Sequence, residues 1–330
     1  MTDKQKAILP PPLVLSAGTA ALSHSIDDYP GGIIIPIDKP YRWTSADVIR
    51  KVKFAACRHF GKKNLKVGHA GTLDPLATGV LLVCIGNATK LAEALQAHDK
   101  EYIAGISFGA TTPSYDLEKE IDRHFPYGHI DENAVRAALP SFLGEQEQIA
   151  PLFSAKSVDG VRAYELARKL YKEKQLTPHS EDISSAFDAA AEAVIRTSII
   201  NISEIELLSF APGKSSVGYT TDNQSNETSA GIYRTSDGMS AETQGDVKAD
   251  EIKGSRASLR INVTDNSALG LPEAKIRIAC SKGTYIRAFA RDLGEALNSG
   301  AHLSSLQRSR SGRFRIETAL SVSSAIDLLG

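Results

Sequence analysis

The chain has 330 residues, 42% of them hydrophobic and 23% charged, with a formal net charge of −1. That is an ordinary globular balance with enough apolar material for a sizeable core, in one large domain with insertions or in two domains. No apolar run is long enough to span a bilayer, and Cys57, Cys84 and Cys280 lie far apart without a Cys-X-X-Cys pair, which argues against a disulfide framework or a zinc site and fits a reducing cytosol.

Residues 1–30 carry prolines and small residues without periodicity, and they lack the long apolar stretch of a signal peptide. A loose N-terminal arm is expected there. Ile33 to Ile37 reads as a short strand stopped at Lys39-Pro40. Thr44 or Ser45 can cap a helix from Asp47 to about Arg58, with Val48, Ile49, Val52, Ala55 and Ala56 on one face.

The stretch from Lys66 to Gly86, KVGHAGTLDPLATGVLLVCIG, places one carboxylate, Asp74, in a turn flanked by glycines and a proline. Gly68 and Gly71 permit positive φ and close approach to a ligand. Pro75 fixes its own φ and keeps Asp74 out of the α region. Val80 to Ile85 then suits a central strand. An acid held this way at a strand entrance has the setting of a reactive group on a scaffold.

Further along, Ala88 to Ala97 reads as a helix, Tyr102 to Phe108 as a strand, Asn133 to Leu139 as a helix, Pro151 to Val158 as extended and Val161 to Tyr171 as a helix. Val194 to Phe210 alternates β-branched residues as a long strand, followed by strands at Leu259 to Val263 and Ala274 to Cys280. The segment 212–254 is rich in Ser, Thr, Gly, Asn and acids and is expected to be a disordered insertion. Tyr285 to Leu297 reads as a helix, and Leu303 to Arg308 and Phe314 to Glu317 as strands. Strands with interspersed helices predict an α+β fold with a mixed, mainly antiparallel central sheet flanked by helices.

Near-zero net charge does not exclude a nucleic-acid ligand, because phosphate affinity follows local basic surface. Arg50, Lys51, Lys53, Arg58, Lys62, Lys63 and Lys66 form one basic cluster, and Arg287, Arg291, Arg308, Arg310, Arg313 and Arg315 form another.

The Asp74 stretch resembles the signature of the tRNA pseudouridine synthase B (TruB) family, whose members isomerise uridine to pseudouridine in the T-arm of tRNA. The likeness extends through Ile37-Asp38-Lys39-Pro40, Lys100-Glu101-Tyr102, Ala150 to Lys156 and Cys280 to Arg287, most of Gly31 to Leu320. It implies the pseudouridine synthase fold over residues 31–330, without the C-terminal RNA-binding (PUA) domain frequent in the family. It also implies action at position 55 of the T-loop on a flipped-out nucleotide. No metal or cofactor is implied, because the isomerisation is redox-neutral. Further implications are a cytoplasmic monomer, a tRNA T-arm stem-loop as partner, no membrane and no guide RNA.

Through the same resemblance Asp74 is the catalytic nucleophile or base at the ribose. The sequence leaves open attack on C1′ or abstraction of a ribose proton. Arg287 pairs with Asp74; an arginine at a helix start opposes the dipole and so calls for a specific acidic partner. Tyr102 stacks on the uracil and is placed to move the C5 proton, although on spacing alone a core tyrosine fits equally well. Tyr285 forms a wall beside Asp74 and Arg287, Leu306 lines the uracil pocket, His69 supports the rearranged T-loop, and Lys39 gives packing and electrostatic support. Residues 149–180 resemble an RNA-gripping insertion, with Lys156, Arg162, Arg168, Lys169 and Lys172 toward phosphates. The run Thr111 to Glu118 departs from the family pattern, so the resemblance assigns Asp116 no role, and the 212–254 insertion lies outside that pattern.

Other readings of the same residues are a non-catalytic RNA-binding module, a guide-dependent synthase and a glycoside hydrolase. The last would need a second catalytic carboxylate set by a comparable motif.

Overall fold

Alternation of apolar residues along two neighbouring strands builds the centre of the molecule. In the computed structural model, which describes residues 10–151, 157–158, 161–162, 197–214, 261 and 263–330, these strands are β2 (Ile33–Lys39) and β4 (Ala77–Ile85). Ile33, Ile35 and Ile37 of β2 face the main core with Leu81, Val83 and Ile85 of β4. Ile34, Val80, Leu82 and Cys84 point the other way into a smaller cluster with Ala70 and Phe314. Burial on both faces explains why these segments read as continuous apolar runs.

In chain order the remaining elements begin with β1 (Leu13–Val14), α1 (Ser45–His59) and β3 (Val67–Ala70). After β4 come α2 (Ala92–Ala97), β5 (Lys100–Phe108), the short pair β6 (Ala110–Thr111) and β7 (Arg123–His124), α3 (Glu132–Ala138) and β8 (Gly144–Ile149). The two-residue strands β9 (Ser157–Val158) and β10 (Val161–Arg162) pair with each other. Then follow β11 (Thr197–Ala211), β12 (Glu273–Cys280), α4 (Ile286–Ala296), β13 (Ala301–Ser311), β14 (Phe314–Arg315) and α5 (Val322–Asp327).

Ten strands form one mixed sheet in the order β1-β2-β4-β13-β5-β12-β11-β8, with β3 on β4 and β14 on β13. The β1–β2 and β4–β13 pairings are parallel and the others antiparallel. The architecture is therefore α+β with a mixed, mainly antiparallel sheet. Helices α1 and α4 cover one face through Val48, Val52, Phe289 and Leu293. The opposite face of β5, β11 and β12 is polar, where Arg277 joins Glu101, Glu204 and Glu206.

Several expectations are corrected. Residues 10–30 are not a loose arm: β1 pairs with β2, and Leu15, Leu22 and Ile26 are buried in the core. Backbone pairing and three apolar anchors hold this stretch despite its prolines. The helix expected over Ala88 to Ala97 begins as a 3-10 turn, Gly86–Leu91, and is α-helical only in α2. Residues 261 and 263 are not in a strand, and after Arg315 the chain turns into a 3-10 helix, Ile316–Thr318. Most of 149–180 and all of 215–254 lie outside the described residues.

Candidate active site

Asp74 lies at the entrance of β4, where the backbone is tied on both sides. Before it, Ser45 at the start of α1 donates its hydroxyl to Leu73 O (3.2 Å) and accepts from Leu73 N (3.0 Å). Thr44 and Asp47 form a reciprocal capping box that fixes this helix end. After Asp74, the Lys39 ammonium donates to Pro75 O (3.2 Å), as well as to Pro40 O and Trp43 O. Ala77 N closes the turn on Asp74 O at 3.1 Å.

Arg308 completes the anchorage. Its fully buried guanidinium donates to Gly71 O (3.1 Å), Thr72 O (3.3 Å) and Val80 O (2.8 Å), so one side chain grips both flanks of the turn. Gly79, at φ +102°, explains how the strands come so close, since a Cβ there would lie 2.3 Å from Arg308 O. This glycine serves sheet packing.

Arg287 meets Asp74 from the start of α4. Its Nε donates to Asp74 Oδ2 at 2.9 Å and lies 3.7 Å from Asp116 Oδ2, while an Nη donates to Ser114 O at 3.2 Å. The Arg287 side chain is 6% exposed and that of Asp74 41%, so the cation is enclosed and the anion is open to a reactant. Burial works against the charged guanidinium, but Asp74 and Asp116 outweigh it and hold its pKa above the usual value. Gln148 fixes the helix start: its amide donates to Tyr285 O (3.1 Å) and its carbonyl accepts from Tyr285 N (2.8 Å).

Asp116 is a second buried carboxylate. Its Oδ1 accepts from Ser114 Oγ (2.6 Å) and Glu118 N (2.9 Å). Burial raises its pKa, with Arg287 opposing that shift. Asp74, Asp116, Arg287, Tyr41, Leu76 and Leu306 line one open cleft.

Thus Asp74, Arg287 and Leu306 come together at the cleft. Tyr102, Tyr285, His69 and Lys39 are not among its lining residues. Tyr102 is buried on β5, opposite Arg308 on the neighbouring strand. Burial is the main cause raising its phenol pKa. Tyr285 is the residue preceding α4. His69 lies half-buried on β3, its pKa lowered first by burial and then by Arg308. Lys39 is fully buried, and desolvation lowers its pKa to about 7 against the attraction of Asp74.

Sequence reasoning missed Gln148, Tyr41 and the hold of Ser45 on Leu73, having weighed Ser45 as a helix cap, and it placed Arg308 in a basic cluster. Arg287 and Arg308 are both buried, so neither belongs to an exposed phosphate-facing patch. The signal available for Asp116 was Ser114 two residues earlier, a spacing suited to a local side-chain turn.

A carboxylate open to solvent and oriented by an enclosed guanidinium can attack an electron-poor carbon or remove a proton. Residues 58–186 match TruB family pseudouridylate synthase (N terminal domain). A tRNA pseudouridine synthase B of Phocaeicola vulgatus is 43% identical over 293 residues, 89% of this chain and 91% of that protein. Its counterpart in Bacteroides fragilis is 40% identical over 289 residues, covering 88% and 90%. Among solved structures, a Cbf5-Nop10-Gar1 complex aligns at a TM-score of 0.49 with 22% identity, over 97% of this chain and 64% of that one. With 40–43% identity to those two synthases across about nine-tenths of each chain, and an acid seated in the matching stretch, the chain belongs to the TruB family of pseudouridylate synthases.

Proposed function

We propose that this protein isomerises uridine to pseudouridine at position 55 in the T-loop of tRNA, acting on naked tRNA as a monomer without a guide RNA. The observation that carries the reading is the Asp74–Arg287 ion pair at the open cleft. Relatives matched over about nine-tenths of their length bear the name tRNA pseudouridine synthase B.

The target nucleotide leaves the loop stack and enters the cleft. Asp74 attacks C1′ as the C1′–N1 bond breaks, or instead removes a ribose proton to release the base. The uracil turns and its C5 bonds to C1′ as the C1′–O bond to Asp74 breaks, or, in the other route, as the ribose proton is returned from Asp74. The C5 proton is lost and N1 is protonated, so no atom is gained or lost overall and no redox change occurs. Arg287 holds the carboxylate in register through this sequence and stabilises its negative charge. Leu306 supplies an apolar wall for the base. Tyr102 lies on β5 opposite Arg308, and its phenol takes part in handling the C5 proton. Lys39 holds the backbone that follows Asp74, Tyr285 carries the start of α4 toward the ion pair, and His69 supports the opened T-loop.

Incubation with an unmodified tRNA transcript, followed by carbodiimide mapping or mass spectrometry, tests this reading. Pseudouridine at position 55 is expected. No product, or product only elsewhere, would refute it.

A further inference from the structure

Among the described residues lining the cleft, Tyr41 is the aromatic one. Its turn is built to hold it there. The Lys39 ammonium donates to the carbonyls of Pro40 (2.9 Å) and Trp43 (2.6 Å), one on each side of the Tyr41-Arg42 pair. Trp43 packs against the core, and Thr44 caps α1 immediately afterwards. Arg42 between them takes a left-handed backbone at φ +64°, a conformation unfavourable for any residue with a Cβ, and its guanidinium donates to Ile261 O at 2.9 Å. Such strain persists where the surroundings over-determine it, and it clusters at functional sites.

The backbone is fixed while Tyr41 as a residue is left 45% exposed, lining a cleft with two carboxylates and a leucine wall. Its hydroxyl stays protonated: burial raises its pKa, and Asp116 adds to the rise against the opposing field of Arg42. The ring therefore presents a neutral, amphipathic face beside the Asp74 carboxylate. Tyr102 offers no comparable surface, being buried and absent from the cleft lining.

We propose that Tyr41 is a substrate-binding residue whose ring is a stacking face for an RNA nucleobase brought into the cleft, with Leu306 as another wall. The inference rests on the function proposed above. Aromatic stacking tolerates any base and depends on the ring, not the hydroxyl.

The test compares wild type, Tyr41→Ala and Tyr41→Phe for affinity to an unmodified T-arm stem-loop and for kcat/KM on tRNA, with thermal unfolding as control. Tyr41→Ala should weaken binding and kcat/KM roughly five- to a hundredfold at unchanged melting temperature. Tyr41→Phe should recover most of that loss. Tyr41→Ala within twofold of wild type would overturn the proposal, and so would Tyr41→Phe as impaired as Tyr41→Ala. If the wild type binds the stem-loop but makes no pseudouridine, the enzymatic reading falls and Tyr41 is judged on affinity alone. If the wild type does not bind the RNA, both fall.

Discussion

Lys39 shows how one buried charge can serve a reactive neighbour at a cost to stability. Its ammonium holds the carbonyls of Pro40, Trp43 and Pro75, yet desolvation brings its pKa down from 10.5 to about 7. Above that pH the folded chain has released a proton that the unfolded chain still binds. Stability therefore rises with pH between about 7 and 10.5, by at most about 1.4 kcal/mol per unit from this group. Denaturant titrations of Lys39→Met at several pH values should show a shallower rise than wild type. Lys100, brought to about 8 chiefly by desolvation, keeps part of the slope in both proteins. An unchanged slope in Lys39→Met would mean that Lys39 does not titrate in this range.

At the scale of elements, the start of α4 matters most, because it carries Arg287 to Asp74. Gln148 on β8 binds both the N–H and the C=O of Tyr285, two residues before that arginine. Gln148→Leu removes both bonds and leaves two backbone groups without these partners. We expect turnover on tRNA to fall roughly ten- to a hundredfold through a displaced Arg287, with RNA affinity within about threefold of wild type. Turnover equal to wild type would show that α4 is placed without this clamp. The elements also differ in how plainly the sequence announced them. The β2 and β4 strands, α1 and α4 followed from apolar pattern and capping residues. Strand β8 (GEQEQI) has almost no apolar alternation and forms by pairing with β11. β1 hides in a proline-rich run and depends on β2. Asp74 and Arg287 were legible because each sits in a contiguous motif. Ser45, Gln148 and Arg308 act on backbone groups remote in sequence, and such contacts leave no local spacing to read. Arg308 looked like surface charge until the sheet enclosed it.

For the molecule as a whole, net charge is −1, and two arginines of the second basic cluster are internal. Exposed cations remain at Arg50, Lys53, Lys62, Lys63 and Lys66 on and after α1, and at Arg313 and Arg315; the first group is expected to meet RNA phosphates. Lys63→Ala with Lys66→Ala should weaken T-arm binding across RNA sequences and make its salt dependence shallower by roughly one unit of log–log slope per lysine. An unaltered slope would place the phosphate-facing surface elsewhere. What the molecule does is tested most directly by Asp74→Asn, which keeps the side chain's size while removing the anion that Arg287 orients. Pseudouridine formation on unmodified tRNA, followed alongside tRNA affinity, should be abolished in this variant while binding stays close to wild type. Normal pseudouridine formation by Asp74→Asn would contradict the assignment of Asp74 as the reacting group.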